Sequence, residues 1–183
     1  HLFVVGGEPA ALGDVDRRVK HDTIISAVRT TARGEIGIVS SSGQVRRLSV
    51  LDLPALPPTA QSPNLQGGVP LREIVDLDGA PLALMSLTDS GPGIAVGTRE
   101  GVVKRVKPDH LSRDQWELIS LGDGDSLVGA VALTTGEEEL AFVTSDAQLL
   151  HFSASLVRPQ GRAGGGVAGI KLAEGARAVS FGA

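Results

Sequence analysis

Val96-Gly97-Thr98-Arg99-Glu100-Gly101-Val102-Val103-Lys104-Arg105-Val106 decides the fold. It reads as an apolar strand, a hydroxyl residue, a tight turn with a small residue, and a second strand. The same grammar occurs in Ile38-Val39-Ser40-Ser41-Ser42-Gly43-Gln44-Val45-Arg46-Arg47-Leu48 and in Phe142-Val143-Thr144-Ser145-Asp146-Ala147-Gln148-Leu149-Leu150-His151-Phe152. Each is a β-hairpin signature, with Gly43 and Gly101 supplying a permissive backbone at the turn. A looser element follows each hairpin: Leu65-Gln66-Gly67-Gly68-Val69 in the first unit, and Arg162-Ala163-Gly164-Gly165-Gly166-Val167-Ala168-Gly169-Ile170 in the third. The middle unit has Trp116-Glu117-Leu118-Ile119-Ser120-Leu121 instead, without glycine. An acidic or glycine turn and an apolar strand then close the unit, as in Asp78-Gly79 before Leu82 to Leu87 and Asp123-Gly124-Asp125 before Leu127 to Leu133.

From Ile38 to Val96 is 58 residues, and from Val96 to Phe142 is 46, with four short strands in each interval. Those are propeller-blade dimensions. The reading is an all-β array with units at 34–88, 89–135 and 136–183, preceded by a partial blade over 1–33 in which Lys20-His21-Asp22 resembles the tail of an earlier unit. That makes about four blades in an incomplete or truncated disc. A continuous sandwich competes, but it gives no reason for the repeated hairpin.

Composition agrees. The 24 Gly and 10 Pro cut 183 residues into short segments, and with only 3% aromatic residues the core must be built from Val, Leu, Ile and Ala. No apolar run is long enough to span a membrane, no signal peptide is seen, and His1 is not a native start. The chain has no Cys, which excludes disulfides and thiolate metal sites and fits a reducing cytoplasm. It has no Tyr, hence no tyrosyl nucleophile, and its four His residues lack ligand spacing. We therefore expect no catalytic centre, metal or cofactor within the chain.

A net charge of −4 argues against a nucleic-acid partner until the charges are placed. Acids collect between units, at Asp76, Asp78, Asp123, Asp125 and Glu137 to Glu139. Bases collect on the hairpins: Arg46 and Arg47, then Lys104, Arg105 and Lys107. The stretch from Ala147 to Leu172 holds Arg158, Arg162 and Lys171 with no acid. Around an axis, equivalent positions share a rim, so a positive rim can coexist with a negative total. Solvated edge-strand charges that prevent aggregation are the competing reading. Neighbouring strand residues face opposite ways, so one of each pair at most points at a ligand. The column Arg47, Arg105, His151 is polar in all three units and is the one favoured here.

The hairpin Gly-Val-Val-Lys-Arg (101–105) and the stretch Arg-Pro-Gln-Gly-Arg-Ala-Gly-Gly-Gly-Val-Ala-Gly-Ile-Lys-Leu (158–172) resemble the C-terminal domain of DNA gyrase and topoisomerase IV A subunits. The resemblance runs through all three units. Gln160, Gly161, Arg162, Gly164 and Gly166 resemble an eroded gyrase A box, with Ala163 and Gly165 where more basic character is expected. It implies a β-pinwheel, a propeller-like disc whose blades exchange strands with their neighbours and whose rim bends duplex DNA for an ATP-dependent type II topoisomerase. The catalytic Tyr would lie in an upstream domain, and ATP and Mg would bind on other parts of the holoenzyme. The partners implied are duplex DNA, the ATPase-bearing B subunit, plus a second copy of the A subunit, in the bacterial cytoplasm at the nucleoid. The eroded box and the acidic total resemble topoisomerase IV more than gyrase, and the Ala-, Gly- and Arg-rich composition suits an actinobacterial version. DNA-binding residues are then expected at Arg46, Arg47, Lys104, Arg105, Lys107, Arg158, Gln160, Arg162, Gly164 and Lys171. A protein-interaction scaffold on the same fold stays open as the alternative.

Overall fold

A computed structural model describes residues 1–2, 4–5, 24–56, 68–87, 91–109 and 112–183. The strands are β1 (Val4–Val5), β2 (Glu35–Ser40), β3 (Gln44–Ser49), β4 (Ala55–Leu56), β5 (Pro81–Ser86), β6 (Ile94–Thr98), β7 (Val102–Val106), β8 (Gln115–Glu117), β9 (Leu127–Ala132), β10 (Glu139–Thr144), β11 (Leu149–Ser153), β12 (Val167–Ala168) and β13 (Ala178–Gly182). The one α-helix among the described residues is a single turn, Leu71–Ile74. The Lys20 to Asp22 segment, Leu65 to Gly67, His21 and His110 lie outside the described residues.

The three hairpins are built alike. Ser40, Thr98 and Thr144 each offer a carbonyl to the N–H three residues on, at Gly43 (3.0 Å), Gly101 (3.0 Å) and Ala147 (3.0 Å). That third residue has a positive φ in all three: 78°, 80° and 63°. A further strand then pairs antiparallel with the first strand of its own hairpin, β5 on β2, β9 on β6 and β13 on β10, each with a register shift at the same place. The repeat seen in the sequence is thus a repeat of backbone hydrogen bonds.

The outer strand of each sheet comes from elsewhere. In strand order the sheets are β5-β2-β3-β8, β9-β6-β7-β12 and β13-β10-β11, beside a two-stranded parallel pair β1-β4. Strand β8 follows the second hairpin in sequence yet pairs with β3 of the first blade, Val45 opposite Trp116. Strand β12 follows the third hairpin and pairs with β7 of the second, Val103 opposite Val167. The donated segments are pinned again one step on, where Leu118 N–H bonds the Gly43 carbonyl (2.8 Å) and Gly169 N–H the Gly101 carbonyl (2.9 Å). Among the described residues no strand covers the outer side of β11.

Apolar faces stack between sheets. Val39, Val45 and Met85 of the first blade meet Ile94, Val96, Val106 and Leu127 of the second. The other face of the second blade, with Ala95 and Val103, meets Leu140, Phe142 and Phe181 of the third. Phe142 is fully buried, its ring 4.7 Å from that of Phe181 and tilted by 52°. Truncating such a ring costs about 3–5 kcal/mol. The middle blade is covered on both faces, so period-2 alternation there does not separate inside from outside.

Candidate nucleic-acid interface

The segment 158–166 leaves a 3-10 turn (Ala154–Leu156) and enters β12. Gln160 is its hub. The main chain of Gln160 is fixed to the end of β7, its N–H on the Arg105 carbonyl (2.8 Å) and its carbonyl taking the Lys107 N–H (3.1 Å). Its side-chain Oε1 accepts the Gly166 N–H at 3.2 Å, closing the loop on itself. A Cβ at Gly164 would lie 2.4 Å from that Oε1, so any side chain there would displace the hub. Gly166 has φ 87°, and a Cβ would lie 2.8 Å from the Val103 carbonyl. These two glycines answer to packing and backbone angle, and the bare backbone they leave is suited to close approach by an anion.

Facing the loop across an open groove of about 1250 Å³ is the edge of β8. Arg158 and Arg162 line one side, Arg113, Gln115 and Gln44 the other, with Asp109 and Glu117 as the acidic members. Arg158 is exposed; Arg162 is 30% exposed, its Nη2 lying 3.4 Å from Asp109 Oδ2. Arg46 Nη1 donates to Gln115 Oε1 at 3.0 Å, and Gln115 Nε2 donates to Gln44 Oε1, which makes a polar ladder along the rim. Lys107 and Lys171 are exposed outside the groove.

The other expected residues have internal partners. Arg47 bonds the Arg113 carbonyl (3.1 Å), pairs with Glu35 and lies 5.6 Å over the buried Trp116 ring. Arg105 donates to the carbonyls of Pro92 (3.4 Å) and Gly136 (3.3 Å). His151, third in that column, lies 3.1 Å from Glu139. Lys104 is wholly buried, its Nζ on the carbonyls of Leu118 (2.9 Å) and Arg162 (2.7 Å), and desolvation lowers its pKa to about 8. The structure therefore brings Arg158, Gln160, Arg162 and Gly164 together on the groove. Arg46 lies near it through Gln115, and Lys104, Arg47 and Arg105 are turned into the packing. Sequence reasoning missed Arg113 and Gln115. Arg113 sits beside Asp114 in a charge-balanced stretch, and only the pairing of β8 with the first blade carries it opposite the loop.

Residues 138–182, the third unit, match the family model described as DNA gyrase C-terminal domain, beta-propeller. Over 162 residues, 84% of this chain, it is 30% identical to the A subunit of DNA gyrase from Staphylococcus epidermidis, and over 171 residues 29% identical to that from Staphylococcus aureus. The structure superposes on that of the C-terminal domain of DNA topoisomerase IV with a TM-score of 0.67 and 25% identity, over 82% of this chain and 47% of that one. The chain carries the fold and the repeat of the C-terminal domain found in type II topoisomerase A subunits. The ParC C-terminal domain of E. coli shares the fold at a TM-score of 0.61 and 16% identity, over 84% of this chain and 63% of that one. The chain spans 17–18% of the length of the gyrase subunits it matches. The two sequence relatives named are gyrase subunits while a topoisomerase IV domain superposes on the fold, so the likeness reaches this class of C-terminal domain without separating the two enzymes.

Proposed function

We propose that this chain binds duplex DNA along the groove between loop 158–166 and β8, and bends it for the cleavage core of an ATP-dependent type II topoisomerase. One observation supports this above the rest: a glycine-opened loop with Arg158 and Arg162 lies across a groove from Arg113, on the edges where donated strands cover two successive blades. Guanidinium forks match phosphate geometry, and contacts confined to phosphates position DNA without reading bases. Binding is then sequence-tolerant. In the groove the phosphate-facing set is Arg113, Arg158 and Arg162, with Arg46, Lys107 and Lys171 as flanking charges outside it, Gln160, Gly164 and Lys104 shaping the loop, and Arg47 and Arg105 bracing the blades. Strand cleavage and ATP hydrolysis, with their Tyr, Mg and B-subunit partner, belong to other parts of the holoenzyme in this reading. Among the described residues no cluster of His, Asp and Glu could hold a metal, and no helix is long and apolar enough to cross a membrane.

The loop supplies Arg158 and Arg162 against two groove acids, which supports the topoisomerase IV kind over gyrase; the Ala-, Gly- and Arg-rich composition supports an actinobacterial source. Bending 20–30 base pairs by 40–90° costs on the order of 1–6 kcal/mol. Charge-assisted contacts return about 1.5–3 kcal/mol each before screening, so a modest bend is expected without a complete wrap. The test is duplex affinity across a salt series, with a FRET bend assay on end-labelled DNA. About four engaged phosphates give a log–log slope near −3.6, at about −0.9 per phosphate. Replacing Arg158 and Arg162 with Ala should lower both affinity and bend while circular dichroism stays unchanged. A slope near zero would sink the proposal and favour a protein-interaction scaffold.

A further inference from the structure

Lys104 has no place in the phosphate grip by exposure, yet its partners tie it to that grip. Its ammonium sits between the carbonyl of Leu118, just past the strand donated to the first blade, and that of Arg162, in the middle of the loop. The stem crosses the packed face between the first and second blades, where Val106, Trp116 and Leu118 are buried. Burying an ammonium on neutral carbonyls is unfavourable, because no carboxylate offsets the lost hydration. The fold itself does not demand it. At the equivalent strand position the first blade carries Arg46, which reaches the rim, and the third carries Leu150, packed against apolar neighbours. What distinguishes the second blade is the loop lying over it. Gly164 and Gly166 give that loop little side-chain packing of its own, so its path depends on the Gln160 hub and on the Lys104 bond to Arg162.

We infer that Lys104 is a positioning residue: its buried ammonium fixes the main chain of Arg162, and so sets where the loop presents its guanidinium to a phosphate. The inference rests on the DNA-binding reading above. It makes Lys104 matter for DNA without touching it, through one named residue, which a purely structural lysine would not do.

The experiment uses the 183-residue chain and a 30-base-pair duplex, with K104M, R162A and the double variant. K104M is expected to weaken duplex binding about tenfold, the scale of one charge-assisted contact. In the R162A background the same change should cost less than about twofold, since the residue through which it acts is gone. Hydrogen exchange at the Gly166 amide should speed up in K104M while Thr144, in the third blade, keeps its protection. Equal weakening in both backgrounds, or unchanged affinity and unchanged Gly166 exchange, would overturn the inference. If K104M does not fold, K104L takes its place, installing the side chain that the third blade accommodates. Absence of duplex binding by the unmodified chain would instead defeat the DNA-binding reading, and the Gly166 exchange would still report whether Lys104 holds the loop.

Discussion

Exchanging alanine and glycine at the hairpin turn should move stability in opposite directions at two equivalent positions. Ala147 holds φ 63° where Gly43 and Gly101 hold 78° and 80°. A left-handed non-glycine residue costs about 1–2 kcal/mol. Glycine returns about 0.4–1 kcal/mol of that through the greater freedom of the unfolded chain. Ala147→Gly should therefore stabilise by about 0.5–1 kcal/mol, or about 1–4 °C in Tm for a chain of this size. Gly101→Ala reverses that balance and adds a collision, because its Cβ would lie 2.6 Å from the Ile170 carbonyl oxygen. Moving that segment away weakens the bonds from Gly169 and Ile170 N–H to the Gly101 carbonyl, at 2.9 and 3.0 Å. At about 1 kcal/mol per bond the total loss is about 2–3 kcal/mol, a fall of about 4–12 °C. Differential scanning calorimetry of the two variants reads both signs. A lower Tm for Ala147→Gly, or a loss at Gly101→Ala of under a degree, would refute the reasoning.

Two further outcomes follow from single side chains. Glu138 takes N–H bonds from Thr134 (2.5 Å), Thr135 (2.7 Å) and Gly136 (2.8 Å). Burial raises its pKa, but these bonds and its own N–H outweigh that and bring it to about 2. A depressed carboxyl contributes fully above its ordinary pKa near 4.5 and loses that contribution as pH falls through about 2. Glu138→Gln should thus cost about 1 kcal/mol at neutral pH, and urea midpoints of the two proteins should converge across that window; parallel curves would count against it. Arg47→Ala, which removes the bond to Arg113 and the contact over Trp116, should cost about 1–2 kcal/mol of stability and leave duplex affinity within about twofold. A tenfold loss of affinity with unchanged melting would place Arg47 in the interface instead.

The turns were legible because their chemistry is local. A hydroxyl residue, a small turn and a glycine fix the same hydrogen bonds wherever they recur, and Ala147 was recognisable as a variant from its place in the pattern. The Gln160 to Gly166 loop stood out for the same reason, by glycine density and flanking arginines. Strand donation is implied by the resemblance, but no residue shows it locally: Trp116 to Leu121 stands out as an element without glycine, and nothing in it says that Trp116 pairs with Val45, in the preceding blade. The fates of Lys104 and Arg105 were hidden by a related cause. Alternation sorts a strand into core and solvent only when one face meets water, and β7 meets blades on both sides. Arg105 then spends its donors on carbonyls, and Lys104 goes under the loop.

Borrowed outer strands also put the blades on a clock. Val45 waits 71 residues for Trp116, and Val103 waits 64 for Val167. At about 5–20 residues per second on the ribosome, the first of those delays is about 4–14 s. During it β3 has its hairpin partner β2 but no outer partner, an unpaired strand edge of the kind that recruits other chains. Finishing a blade is then an act of the next repeat's synthesis, and the order of completion runs from the amino end toward the carboxyl end. The charges on the second hairpin strands, Arg46 and Arg47 in the first blade, would serve during that interval as guards of an edge still open.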